Sequence, residues 1–360
     1  MDATTQSRTL EIETSEWAER CDYWQRKLEF RPEKRKRREK ESRPLILAGH
    51  GISISVDKGT LLIKDGNTHF PDPNSSYRYY KGALNLPPRI VLVDGSGAIT
   101  LDALDWLTEQ KVDLIRLRWD GRVISAIGAS GYAADRRKIE WQLATRATQR
   151  KRLEFGIPLI SEKLQATHFN IDRLLPPSES RDKALIAAEK AMNSLKSNPP
   201  SSISKLLAVE GTVAQGYFFA WRGLELKWRA IGRYPIPEDW KRFFSRSSLT
   251  TQLRIKNFRA THPVNAMLNY AYGILEGQLR IDAIAKGYDP TIGLLHDSMK
   301  TDRNAFVYDI MEPKRPIVDR AILKMIAEET FSGADFVLQR DGVCRLNPEL
   351  ARLIVQGMGK

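Results

Sequence analysis

Asp309 and Glu312 stand three residues apart in RNAFVYDIMEPKRPIVDRAIL. On a helix that spacing puts both carboxylates on one face. Carboxylates side by side repel unless a cation or proton lies between them. The preceding AFVY is apolar, so water screens the pair weakly. The alternative is an exposed acidic turn neutralised by Lys314 and Arg315. Glu210 poses a similar question in ISKLLAVEGTVAQGYFFAW. Flanked by Leu206, Leu207, Val209 and Val213, it needs a partner if it is buried, and Gly211 leaves room beside it. The alternative there is a solvated residue of an amphipathic helix. His296 ends the apolar run IGLLH in YDPTIGLLHDSMKTDRN, where a lone imidazole is either a ligand or a satisfied structural histidine.

Two or three carboxylates with one imidazole suit Mg2+ or Mn2+, which prefer oxygen ligands with at most some nitrogen. Such an ion could serve phosphodiester chemistry. Nearby basic residues, Arg254, Lys256, Arg259, Arg303, Lys314 and Arg315, would then hold a phosphate backbone. Spacing alone does not single out this trio from the 44 acidic residues of the chain. No GxxxxGK[ST], GxGxxG or GxSxG motif competes with it.

The elements that must position these residues fall into three stretches. Residues 1–44 form an extension. In it SEWAERCDYWQRKLEF has helical spacing, with Trp17, Cys21, Trp24 and Leu28 on one face, followed by the basic run RPEKRKRREKESR. Residues 45–130 read as a β-rich domain. HGISISVDKGTLLIKDGNTHF predicts a hairpin turning at Asp57-Lys58-Gly59. RIVLVDGSGAIT predicts a second, turning at Asp94-Gly95-Ser96-Gly97. LDALDWLTEQKV predicts one short helix, and DLIRLRW with RVISAIG a third hairpin around Asp120-Gly121. Residues 131–360 show apolar residues at three- and four-residue steps, interrupted at Pro176-Pro177, Pro199-Pro200, Pro235/Pro237, Pro290 and Pro313/Pro316. The expected fold is α+β and multidomain: a small N-terminal β-rich domain followed by a larger all-α catalytic domain.

The 360-residue chain has a net charge of +13 and a sequence pI near 9.6, which favours a polyanionic partner such as nucleic acid. Residues 31–43 hold eight Lys or Arg against three Glu, so +8 remains elsewhere. The run reads as a solvated arm or as a contact to DNA phosphates. Removal of residues 1–43 should on this reading weaken DNA binding uniformly. Cys21 and Cys344 lie far apart and read as free thiols. No run of eighteen apolar residues occurs, and the polar, acidic N-terminus does not read as a secretory signal. The expectation is a soluble, cytoplasmic protein without a membrane partner.

Four stretches add a resemblance: LLAVEGTVAQGYF, PVNAMLNYAYGILEGQL, GYDPTIGLLH and FVYDIMEPKRPIVD. In this order and spacing they resemble the CRISPR-associated endonuclease/integrase family that inserts new spacers into CRISPR arrays. LILAGHGISISVDKGTLLIKDG and GAITLDALDWLTEQ extend the resemblance over roughly residues 45–350. It implies Glu210, His296 and Glu312 as ligands of the divalent cation, with Asp309 as an accompanying acidic residue that orients a ligand or bound water. It also implies attack of a DNA 3′-hydroxyl on a phosphodiester at a repeat edge, double-stranded DNA as substrate, a homodimer, and a small ferredoxin-fold CRISPR-associated partner protein. The first 44 residues have no counterpart in the family pattern, and His262 stands where a small or acidic residue is expected. A transposase-like integrase outside CRISPR loci and a non-catalytic basic DNA-binding scaffold are the rival readings.

Overall fold

The computed structural model describes residues 16–28, 39–69, 75–128, 134–246, 260–296 and 304–357. Among them, the N-terminal half of the fold is a six-stranded mixed sheet, in the order β3-β2-β1-β4-β5-β6. β1 (Leu45–Asp57) and β2 (Thr60–Lys64) form the first expected hairpin. Lys58 and Gly59 both take positive φ at its turn, as a tight two-residue connection requires. β5 (Asp113–Leu117) and β6 (Val123–Ile127) form the last expected one. β3 (Ser76–Tyr79) edges the sheet beside β2.

The middle hairpin does not form. β4 (Arg89–Ile99) is a single strand, parallel to both β1 and β5. Its Asp94 and Gly95, at φ +46° and +119°, make a bulge where a turn was expected. The bulge lets β4 pass tightly against β1, where a Cβ on Gly95 would lie 1.8 Å from the Gly49 carbonyl oxygen. Turn-forming residues thus serve a close strand crossing, which only the pairing partner reveals. α2 (Leu101–Glu109), capped by the Thr100 side chain, supplies the crossover to β5.

The sheet is apolar on both faces. Leu47, Ile54, Leu61, Ile63 and Ile90 pack with Ala103, Trp106 and Leu107 of α2. The alternating set Ile46, Ala48, Val91, Val93, Ile115 and Leu117 joins the larger core of the helical part. That part comprises α3 (Arg136–Arg146), α4 (Gln149–Leu174), α5 (Glu179–Ser197), α6 (Ile203–Ala220), α7 (Pro263–Ala285), α8 (Ala305–Met311), α9 (Arg315–Glu328) and α10 (Pro348–Gly357). α7 is buried almost all round and forms its axis. Gly273 of α7 meets Gly121 of the β5–β6 turn so closely that a Cβ there would sit 1.8 Å from the Gly121 carbonyl oxygen. His262 caps α7: its Nδ1 accepts the Val264 N–H at 3.2 Å, and burial pushes the imidazole down to about 4, so it stays neutral and able to accept.

The helical part is not all-α. β7 (Lys227–Trp228) pairs with β8 (Thr330–Phe331), and β9 (Phe336–Leu338) with β10 (Cys344–Leu346). These two- and three-residue strands are too short to show a period of two against a helical background. The interruption expected at Pro313 and Pro316 is present, as a 3-10 turn that separates α8 from α9. The two prolines stand at the starts of that turn (Glu312–Lys314) and of α9, where a proline needs no amide partner.

The N-terminal extension contributes a packed element. Residues 16–28 form helix α1, with Cys21 and Trp24 fully buried. Arg20 Nε donates to Asp335 at 2.7 Å, as does Trp24 Nε1, and Tyr23 and Lys27 meet Glu329. Trp17 Nε1 donates to the Thr68 carbonyl, in the segment that follows β2, at 3.0 Å. α1 therefore ties the sheet to the C-terminal segment, and deleting residues 1–43 would remove structure as well as charge. Residues 31–38 of the basic run lie outside the described residues.

Candidate metal centre

Four elements bring the proposed chemistry together. Glu210 projects from the middle of α6, Asp309 from α8, Glu312 from the 3-10 turn that follows, and His296 from the loop after α7. α8 is short, so Asp309 and Glu312 share one face and are both buried. They do not touch solvent as an exposed acidic turn would.

Asp309 grips the His296 loop. Its Oδ2 accepts the backbone N–H groups of Leu294 and Leu295 at 2.5 and 3.0 Å, and its Oδ1 accepts that of His296 at 3.0 Å. Oδ1 also faces His296 Nδ1 at 2.8 Å. With Nδ1 engaged, Nε2 is the ring nitrogen left to face the site, 3.8 Å from Glu312 Oε1. The loop is held from the other side by Arg152 of α4, which donates to the Leu294 carbonyl at 2.6 Å and the Leu295 carbonyl at 3.3 Å. The hydrogen bond to Asp309 outweighs burial and raises the His296 pKa above its ordinary value, with the charge of Glu312 acting in the same sense. Burial pulls Glu312 upward, but Arg315 and Lys163 beside it win and hold the carboxyl below the usual range.

Between the two glutamates lies a cation supplied by the chain itself. Lys163 of α4 hydrogen-bonds Glu210 Oε1, and its Nζ also lies 2.5 Å from Glu312 Oε2. Sequence reasoning missed this lysine. Its signal was there: Ile160, Leu164, Thr167 and Ile171 mark the buried face of α4, and Lys163 stands on it. Lys163 and Glu210 line a cavity of about 330 Å³, bordered also by Tyr217, Arg246, Tyr272, Arg315 and Asp319. The Tyr272 hydroxyl bonds Asp319, whose carboxyl burial pushes up to about 6.

As placed, no three His, Cys, Asp or Glu side chains among the described residues converge closely enough to grip an ion. The donor types nevertheless fit a divalent cation: two carboxylates already share one positive charge, and an imidazole nitrogen flanks them. Of the basic residues expected at the DNA, Lys314 is exposed, while Arg315 lies 3.1 Å from Glu312 and borders the cavity. Arg254, Lys256, Arg259 and Arg303 lie outside the described residues.

The family model of the CRISPR associated protein Cas1 matches residues 45–360. The chain belongs to the Cas1 family. A CRISPR-associated endonuclease Cas1 of Archaeoglobus fulgidus is 26% identical over 334 residues, 87% of this chain and 86% of that one. Another, from Methanospirillum hungatei, is 27% identical over 214 residues, and that match spans 58% of this chain and just over half, 56%, of the relative. Among solved structures, a casposase bound to integration product superposes with a TM-score of 0.66 at 26% identity, covering 88% of this chain and 81% of that one. A Cas1 protein from Thermotoga maritima shares the fold at a TM-score of 0.62 and 16% identity, covering 88% and 89%. The chain is thus an enzyme of the CRISPR-associated nuclease and integrase class, and the family favours that over a transposase-like integrase or an inert scaffold. The family match begins at Leu45, leaving α1 outside it. Cys21 and Cys344 are free and buried, and no helix among the described residues is long and apolar enough to cross a membrane.

Proposed function

We propose that this protein joins the 3′-hydroxyl of a short double-stranded DNA fragment to a phosphodiester at the edge of a CRISPR repeat. A new 3′-O–P bond forms as the existing P–O bond breaks, and the cut strand leaves with a free 3′-hydroxyl. The observation that carries the reading is the convergence of Glu210 and Glu312 on a single cation, Lys163, near His296, with Glu210 and that lysine lining a cavity of about 330 Å³.

Glu210, His296 and Glu312 would hold Mg2+ or Mn2+, which when bound supplies Lewis-acid activation of the phosphate and of the attacking hydroxyl. Asp309 keeps His296 in the tautomer and orientation that leave Nε2 available. Arg315, Arg246 and exposed Lys314 offer charge to the backbone phosphates, so the reacting DNA end is positioned before chemistry starts. No side chain needs to become covalently attached to DNA.

The proposed assembly is a homodimer that works with a small ferredoxin-fold CRISPR-associated partner in the cytoplasm of a prokaryotic cell. A chain of a solved Cas6-RT-Cas1–Cas2 complex shares this fold at a TM-score of 0.63, and an assembly of that kind supports the presence of such companions. An integration assay with a labelled 3′-OH duplex, Mn2+ and a supercoiled repeat-bearing plasmid tests the reading. Label joined at the repeat edge is the expected result. Label at random sites would leave an integrase without CRISPR specificity, and no joining with any divalent ion would overturn the proposal.

A further inference from the structure

Lys163 raises a question that the ligand trio does not answer. Its ammonium lies between Glu210 and Glu312, and its side chain is only 11% exposed, so the contact is not a chance surface pair. A buried carboxylate without a counter-charge is costly, and two facing each other cost more. The lysine removes that cost while the site holds no metal. Glu210 and Glu312 are also two of the residues that would hold a divalent ion, and a second cation at the same carboxylates would repel the ammonium.

We infer that Lys163 is the resident counter-cation of the site, and that metal entry is an exchange in which the lysine ammonium is displaced from Glu210 and Glu312. This rests on the metal assignment proposed above. The displaced ammonium has somewhere to go. Lys163 borders the cavity, Asp319 borders the same cavity as a further buried carboxylate, and a lysine has a flexible four-carbon stem on which to swing. Arg315 does not fill the same role: it lies 3.1 Å from Glu312 Oε1, whereas Lys163 holds Oε2 and reaches Glu210 as well. Lys163 is therefore a positioning residue. It keeps the two carboxylates gathered in the empty site and sets how strongly a metal must bind to enter.

The test is Mn2+ affinity, measured by calorimetry and by the electron paramagnetic resonance of free Mn2+, on the full chain and on Lys163→Met and Lys163→Arg. Methionine keeps much of the length and apolar stem of the side chain and removes its charge. Lys163→Met should bind Mn2+ at least tenfold more tightly than the unaltered chain, because no cation has to leave. Lys163→Arg, which keeps a charge, should bind no more tightly than the unaltered chain. Thermal melts supply the second measurement. Without metal, Lys163→Met should melt lower, and saturating Mn2+ should raise its melting temperature by more than it raises that of the unaltered chain. A purely structural lysine would lower the melt by the same amount with and without Mn2+ and leave affinity unchanged, and that result would overturn the exchange while leaving the metal site standing. Weaker Mn2+ binding by a folded Lys163→Met would overturn it too, by showing that the lysine assists the ion. If neither chain binds Mn2+, the metal assignment itself fails.

Discussion

At the scale of single residues, the proposed site divides groups that would face an ion from groups that aim them. Glu210→Ala, His296→Ala and Glu312→Ala should each take strand transfer below detection in the plasmid assay while the chain still melts cooperatively. Wild-type-like joining by any two of them would remove the assignment. Asp309→Asn should be milder, losing roughly 10- to 100-fold. The amide has one acceptor oxygen where the carboxylate uses two, for three backbone N–H groups and the imidazole. Asp319 makes a prediction about pH. Burial raises its carboxyl from 3.8 to about 6, so the folded protein holds this proton more tightly than the unfolded chain does. The contribution to stability is complete below pH 3.8 and is lost as pH rises through 6. Asp319→Asn, which resembles the protonated form and keeps an acceptor for the Tyr272 hydroxyl, should lose nothing at low pH. Above pH 6 it should gain up to about 3 kcal/mol relative to the parent. Melting curves of the two chains that stay parallel from about pH 4 to about pH 8 would contradict this.

At the scale of elements, α1 and the His296 loop show how distant segments are tied to the core. α1 buries Cys21 and Trp24, and its hold depends as well on the buried Arg20–Asp335 pair, with Trp24 donating to the same carboxylate. Arg20→Leu leaves Asp335 buried without its charge partner, a change that costs about 3–5 kcal/mol. Denaturant unfolding should show that loss, whereas the same substitution at an exposed arginine would show little. The same element limits what truncation can reveal about the basic run. Substituting Lys34, Arg35, Lys36, Arg37 and Arg38 by serine keeps every residue of α1 and removes five positive charges. If the run touches DNA phosphates, the slope of log K against log salt should flatten by roughly 0.9 for each phosphate that is no longer neutralised. Affinity should fall equally for all DNA sequences, and an unchanged slope would assign the run to solubility or to another protein.

For the whole molecule, the sheet and the helical part behave as one unit. Arg352 of α10 pairs with Asp65 at 2.8 Å, Arg345 of β10 with Asp94 at 2.5 Å, and the Tyr270 hydroxyl of α7 donates to the Trp119 carbonyl at 2.7 Å. The edge strand β6 leaves Ile124 and Ile127 exposed, 53% and 41%. An open sheet edge carrying apolar side chains favours a partner surface. The proposed homodimer through the β-rich part should appear as twice the chain mass by light scattering across the micromolar range. A monomeric mass throughout would count against it.

The sequence by itself determined the features written in local spacing. The β1–β2 and β5–β6 hairpins were legible because their turn residues and alternating apolar residues are neighbours in the chain. The long helices were legible from their three- and four-residue steps. Glu210, His296, Asp309 and Glu312 were legible as polar residues in apolar runs, although only the family resemblance chose them from the other acidic residues. What the tertiary structure decided were relations between segments far apart. Asp94-Gly95 is a bulge rather than a turn because β1 passes beside it. α1 is packed structure because Asp335 and Glu329 come to meet it from the other end of the chain. The short strands of the helical part exist only by virtue of their pairing partners. Lys163 acquires its role in the same way: its place on the buried face of α4 sets it apart, but its meaning comes from two carboxylates, 47 and 149 residues further along, that packing sets on either side of it.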